Sequence, residues 1–198
     1  MKILVMGGTG TIGSAITELM RDDHEVITVG KNSGDLQADI EDKSSIEALF
    51  SKVGSVDAII SAAGAGMIAG FDDANDHPYD LVLKSKVMGQ INLARVGVKH
   101  LSPGGTIILT SGQAARRPMP QTTAIAMGCA AIEAFVATAA LELVNGQRIN
   151  VVSPPFVKET MEQFGMDSST GTPALTVADA YRAFVVSKDN GQVTQFAV

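Results

Sequence analysis

The chain has 198 residues, 45% of them apolar and 18% charged, with a formal net charge of −6. This composition is typical of a single α/β domain over residues 1–198, large enough to bury roughly 70% of its unfolded surface without a disulfide or a metal. Lysine and arginine form no run and no apolar stretch reaches the ~18 residues of a membrane span, so we expect a soluble, cytoplasmic protein with no nucleic-acid or membrane partner.

The first thirteen residues are predicted to form a strand, a glycine turn and the start of a helix. Met1 to Met6 is a short apolar run, and Gly7, Gly10 and Gly13 follow with the spacing G-x-x-G-x-x-G. Gly7 permits a sharp turn, Gly10 removes the Cβ that would block a diphosphate, and Gly13 lets the helix pack on the sheet. The helix N-terminus presents unpaired N–H groups to phosphates. The position of this turn, at the first strand–helix junction, favours nucleotide binding over a purely structural turn.

The turn after the second predicted strand, residues 24–29, bears on the choice of nucleotide. In dinucleotide folds an acid at this position binds the 2′-hydroxyl of NAD, whereas a cation holds the 2′-phosphate of NADP. The turn offers Lys31, Asn32 and Ser33 and no acid. We therefore expect NADP, with NAD as the less favoured cofactor; the alternative is a solvated turn without a ligand.

Strands and helices alternate along the rest of the chain. Further strands are predicted over residues 36–40, 56–61, 106–111, 148–153 and 192–198, and helices over 43–53, 81–101, 122–145 and 176–187. Residues 156–175 read as an irregular flap with a short helix near 159–164. About seven strands in this alternation predict a doubly wound parallel sheet, the Rossmann fold, with helices on both faces. Cys129, the only cysteine, is expected to be an inert core thiol, and no metal site is predicted.

In order and spacing, these features resemble the short-chain dehydrogenase/reductase family from Met1 to the C-terminus. The resemblance rests on the glycine turn, Asp39 after the third strand, Ser61-Ala62-Ala63-Gly64 in place of Asn-Asn-Ala-Gly, a strand that ends at Ser111, and the segment 150–154. It implies NAD(P) along the carboxyl edge of the sheet, a small-molecule substrate, and a homodimer or homotetramer built on the two long helices. The residues expected to bind the cofactor are Gly7, Thr9, Gly10, Thr11, Ile12, Gly13, Lys31, Asn32, Ser33, Asp39, Ile40, Ala62, Ala63, Gly64 and Pro154.

The catalytic residues of that family are only partly present. Family members use a tyrosine as general acid and base, a lysine four residues later that lowers its pKa, and a serine that orients the substrate oxygen. Ser111 matches the serine, but Ala124 and Gly128 stand at the tyrosine and lysine positions. The structural asparagine of the family corresponds to Lys86, which is a cation.

Three explanations remain open at this point. Lys86 supplies the missing charge from a neighbouring helix, while Ser111, Thr122 or Thr123 places the substrate and a water donates the proton. Alternatively, hydride transfer proceeds without a positioned acid, which costs roughly 10² to 10⁴ in rate. In the third case the protein binds the dinucleotide as a non-catalytic sensor or regulatory subunit. Lys86 could also simply reach solvent or pair with an acid. The leading hypothesis is an NADP(H)-dependent oxidoreductase for a small carbonyl or alcohol, with Ser111 and Lys86 as candidate catalytic residues.

Overall fold

A single parallel sheet of seven strands forms the centre of the computed structural model, which describes residues 1–73, 75–194 and 196. The strands are β1 (Lys2–Met6), β2 (Glu25–Gly30), β3 (Leu36–Gln37), β4 (Val56–Ser61), β5 (Leu101–Thr110), β6 (Arg148–Val152) and β7 (Val193–Thr194). They pair in the order β3-β2-β1-β4-β5-β6-β7, always parallel. The direction of winding reverses between β1 and β4, and ligands of open α/β sheets bind at such a switch point.

Helices connect the strands and cover both faces of the sheet. They are α1 (Thr11–Met20), α2 (Lys43–Val53), α3 (His77–Leu81), α4 (Gln90–Gly97), α5 (Thr123–Ala139), α6 (Lys158–Gln163) and α7 (Ala174–Val186). A π-helix spans Val82–Gly89, and 3₁₀ turns span Val98–His100 and Gln113–Ala115. None of the helices in the described part of the chain is long and apolar enough to cross a bilayer.

The core has two halves, because neighbouring residues of a strand point to opposite faces of the sheet. Leu4 and Met6 of β1 pack with residues of α2, α4 and α5 on one face. Ile3 and Val5 pack with residues of α1 and α7, including the fully buried Tyr181, on the other face. The predicted doubly wound sheet is therefore confirmed.

Several predicted boundaries are wrong for reasons that the contacts explain. The predicted helix 81–101 is divided into α3, the π-helix, α4 and a 3₁₀ turn. The predicted helix 122–145 ends at Ala139, and the residues after it form turns in which Asn145 and Gly146 have φ of 56° and 70°. β3 stops at Gln37, since the N–H of Asp39 donates to Ser45 Oγ (3.0 Å) instead of to a neighbouring strand.

Four more predictions concern the C-terminal half. The short helix of the predicted flap is present as α6, and helix α7 begins two residues before its predicted start. Of the predicted closing strand 192–198, Val193 and Thr194 form β7, and residues 195, 197 and 198 lie outside the described residues. Cys129 is buried, as expected for a core thiol.

Candidate functional site

A cavity of about 280 Å³ lies at the switch point, where β1, β2 and β4 end. Six of the predicted cofactor residues line it: Gly7, Lys31, Asp39, Ile40, Ala63 and Gly64. Gly30, Ala65 and Ser85 are also among its walls. The fold thus brings residues from five separate segments of the chain to one site at the carboxyl edge of the sheet.

The three glycines of the first turn have different surroundings. Gly7 has φ of +81°, and a Cβ there would lie 2.7 Å from the backbone nitrogen of Ala63. A Cβ at Gly13 would overlap the carbonyl of Gly7. At Gly10, by contrast, the nearest atom to such a Cβ is the Gly7 oxygen at 3.4 Å. Gly7 and Gly13 are therefore required by the packing of the protein itself, whereas Gly10 leaves open space outside the N-terminus of α1.

The other predicted residues near this turn contribute in different ways. Thr9 is exposed, and its Oγ1 accepts a hydrogen bond from Ser33 Oγ (2.9 Å), which joins the glycine turn to the turn after β2. Thr11 Oγ1 accepts from Gln163 Nε2 of α6 (3.2 Å), so the flap reaches the start of α1. Ile12 packs against the core and offers only its backbone N–H.

The turn after β2 contains an ion pair that the sequence pattern did not reveal. Lys31 Nζ lies 2.8 Å from Asp39 Oδ2. The hydrogen bond from Lys31 lowers the pKa of Asp39, and the same bond raises the pKa of Lys31. The turn itself contains no acid, as predicted, but the short β3 carries Asp39 back beside β2 and next to Lys31. Asn32 is exposed in this turn.

Lys86 is held in the interior of the protein by the π-helix. It is 9% exposed, and its Nζ donates to the carbonyl oxygens of Ser111 (2.9 Å) and Thr110 (3.4 Å). Burial lowers the pKa of this amine. Lys86 is therefore buried instead of reaching solvent, and among the described residues it forms no ion pair with an acid, so both simpler interpretations are wrong. π-helical segments are frequent at functional sites.

The packing around Gly128 leaves no room for a side chain at that position. A Cβ at Gly128 would overlap the side chain of Val82, and it would lie 3.7 Å from Lys86 Cδ, an ordinary van der Waals distance. On the other side of Lys86, a Cβ at Gly64 would lie 3.2 Å from Lys86 Cα. Val82 thus occupies the space in which a side chain at position 128 would begin, and Lys86 packs beside that space, next to the loop after β4.

Ser111 belongs to a polar network that includes an acid missed by the sequence analysis. Its Oγ donates to Glu133 Oε1 (2.9 Å), and Glu133 Oε2 lies 3.0 Å from Arg116 Nη2. The Glu133 side chain is 10% exposed. One signal could have identified it: Glu133 is the only charged residue of α5.

Most of the remaining predicted residues form hydrogen bonds with other parts of the protein. Thr122 Oγ1 donates to the Met119 carbonyl (2.8 Å), so this hydroxyl is already used, and Thr123 is exposed at the start of α5. Ala62 continues β4 through a backbone bond, and the carbonyl of buried Pro154 accepts from the N–H of Gln113 (2.9 Å). Of the three candidate hydroxyl groups, Ser111 alone lies in a network with charged side chains.

Comparisons with known proteins identify reductases that are similar to this chain. A family model described as Enoyl-(Acyl carrier protein) reductase matches residues 11–196. Elsinochrome reductase 1 of Elsinoe fawcettii is 31% identical over 188 residues, which cover 81% of this chain and 70% of that protein. In two further curated relatives the match covers about half of the relative's length, 54% and 50%.

Solved structures resemble the chain over its whole length. The protein lin1944 from Listeria innocua is 36% identical, with a TM-score of 0.94 and full coverage of both chains. A small-chain dehydrogenase solved in complex with NADPH is 26% identical, with a TM-score of 0.87 and coverage of 97% and 94%.

Proposed function

The chain belongs to the short-chain dehydrogenase/reductase family, and from this premise we propose that it is an NADP(H)-dependent oxidoreductase that interconverts a small carbonyl and its alcohol. The observation that carries the proposal is the cavity at the switch point, which is lined by six of the predicted cofactor residues and lies beside a glycine turn with open space at Gly10. The reductase names of the relatives and the NADPH bound by a structural neighbour support a redox role.

The choice of NADP rests on the turn after β2. A 2′-phosphate near Lys31 would gain a charge-assisted hydrogen bond, and Ser33 offers a hydroxyl beside it. Asp39 competes for the same ammonium group at 2.8 Å. We therefore expect a preference for NADP over NAD that is smaller than an unpaired lysine would give.

The catalytic assignment combines Ser111 with Lys86. The bound dinucleotide supplies or takes up the hydride. Ser111 would contact the substrate oxygen, while the positive charge of Lys86, held 2.9 Å from the Ser111 carbonyl, stabilises negative charge that develops on that oxygen. Charges fixed in a buried site act more strongly than charges in water.

Thermal unfolding with NADP(H), with NAD(H) and without ligand tests the cofactor. A ligand at about 100 times its Kd adds roughly 2.7 kcal/mol, a midpoint shift of about 5–10 °C for a domain of this size. Turnover is then measured with benzaldehyde, acetophenone, cyclohexanone and 2-tetralone and with the corresponding alcohols. We expect NADP(H) to give the larger shift and Ser111→Ala and Lys86→Ala to lower turnover. No shift with either cofactor would overturn the proposal.

A second candidate function is a non-catalytic dinucleotide-binding regulator. The observation that favours it is the absence of the family tyrosine and lysine at Ala124 and Gly128. A large shift with NADP(H), together with no turnover of any compound in the panel, would support this second function.

We also propose a cytoplasmic homodimer or homotetramer. The segments of the two predicted long helices expose the apolar side chains of Met88, Met127, Leu141 and Val144, which supports subunit contacts. Size-exclusion chromatography with light scattering tests this, and a monomer at micromolar concentration would overturn it.

A further inference from the structure

Glu133 is a buried charged residue on a helix that otherwise packs against the core with uncharged side chains. It is the only charged residue of α5, and its side chain is 10% exposed. Burying a charge is unfavourable unless its oxygens find partners. One partner is Arg116, from the loop after β5, and the other is the hydroxyl of Ser111 (2.9 Å).

The direction of the bond between Ser111 and Glu133 follows from the chemistry of the two groups. An ionised carboxylate only accepts hydrogen bonds, so the single proton of the Ser111 hydroxyl points toward Glu133. The lone pairs of the hydroxyl then remain for another partner. They can accept from the O–H of an alcohol, but they cannot donate to a carbonyl. With Glu133 protonated the direction reverses, because the carboxyl donates to Ser111 and frees the hydroxyl proton for a carbonyl oxygen.

Resting on the proposed oxidoreductase function, we infer that Glu133 is a positioning and proton-accepting residue that acts on the substrate through Ser111. When an alcohol is oxidised, its O–H proton passes to Ser111 Oγ as the Ser111 proton passes to Glu133. The C–H bond of the alcohol carbon breaks, and the hydride leaves with its electron pair for the oxidised dinucleotide. The C=O bond forms, so the alcohol loses two electrons and the dinucleotide gains them. Carbonyl reduction follows the same steps in reverse from protonated Glu133.

Other ionisable side chains surround the bond between Ser111 and Glu133. Arg116 Nη2 lies 3.0 Å from Glu133 Oε2, and Lys86 of the π-helix donates to the Ser111 carbonyl. Cys129, one turn earlier on α5, also faces this group, and burial raises the pKa of its thiol. The thiol therefore remains neutral near pH 7. Because the Ser111 hydroxyl donates to Glu133, its lone pairs are free to accept from the O–H of an alcohol.

The test compares Glu133→Gln with Glu142→Gln, the same change at an exposed acid beyond α5. Glutamine keeps a hydrogen-bonding oxygen for Ser111 but cannot take up its proton. NADPH binding and the thermal midpoint are measured first, followed by kcat and KM for 1-phenylethanol oxidation and acetophenone reduction, or for the best pair of the panel, from pH 5 to 9. Glu133→Asp provides a second variant that retains a carboxylate.

We expect Glu133→Gln to bind NADPH as the wild type does and to lose at least 10² in kcat, within the range for general acid–base groups. Glu133→Asp should recover part of the rate, because it keeps a carboxylate that can take up the proton. A rate for Glu133→Gln within twofold of that for Glu142→Gln would overturn the inference, and so would a Glu133→Asp rate no higher than that of Glu133→Gln; Glu133 would then serve only as an anchor for Arg116. A wild type that binds NADPH but turns over no compound of the panel would overturn the proposed function and this inference together.

Discussion

Replacing Gly10 by alanine should separate cofactor binding from folding. The added Cβ would meet no protein atom closer than the Gly7 oxygen at 3.4 Å, and the backbone φ of −83° suits alanine. Alanine caps a helix less well than glycine, which destabilises the folded state by up to about 1 kcal/mol. Alanine also restricts the unfolded chain, which favours the folded state by up to about 1 kcal/mol. The free energy of unfolding without ligand should therefore change by less than about 1 kcal/mol.

NADPH binding should respond much more strongly. The methyl group points into the space that the diphosphate needs, and forcing a methyl into a filled space costs about 1–3 kcal/mol. At about 1.4 kcal/mol for each factor of ten, the Kd should rise by about 5- to 150-fold. Titration of NADPH fluorescence gives the Kd, and urea unfolding without ligand gives the stability.

Gly13→Ala is the matched comparison, because its Cβ would overlap the backbone carbonyl of Gly7. This variant should lose at least 2 kcal/mol of stability even without ligand, since backbone must shift to relieve the overlap. Unchanged NADPH affinity in Gly10→Ala would refute the assignment of the open space to the cofactor. Equal destabilisation of the two variants would refute the distinction between their roles.

Three further predictions test other parts of the molecule. Lys86→Met should lower turnover at least 10²-fold. Because burial lowers the pKa of Lys86, the free energy of unfolding of the wild type should rise with pH toward about 10.4. This rise should be absent in Lys86→Met when urea unfolding of both proteins is measured from pH 7 to 10. Asp35 has a lowered pKa because Thr28 donates to it, so its stabilisation is present above about pH 4 and lost below; Asp35→Asn should flatten acid unfolding followed by circular dichroism. Gly97→Ala should cost about 1–3 kcal/mol in thermal unfolding, because the Cβ would lie 2.9 Å from Phe50 Cζ, and no loss would contradict this packing.

Local sequence patterns were sufficient to predict the fold. Apolar runs of strand length and the spacing of Ile46, Leu49, Phe50 and Val53 are set by short-range periodicity, and these residues are buried as expected. The glycine turn was recognisable because its spacing reflects contacts within a few residues. The cofactor edge could therefore be located before any tertiary contact was known.

The catalytic surroundings were not predictable in the same way. Ser111 and Glu133 are 22 positions apart and meet only because α5 packs beside the end of β5. Asp39 reaches Lys31 only because β3 is short and turns back beside β2. The π-helix that buries Lys86 has the apolar content of an ordinary helix, and its different hydrogen bonding carries no local signal. Each of these features depends on tertiary packing.

The crowded space at Gly128 bears on which substitutions this protein tolerates. A side chain at 128 would overlap Val82, so any residue larger than glycine requires Val82 to move or to become smaller. The effect of a substitution at 128 therefore depends on the residue at 82. An evolutionary path that introduces a lysine at 128 requires coordinated changes on two helices, α5 and the π-helix.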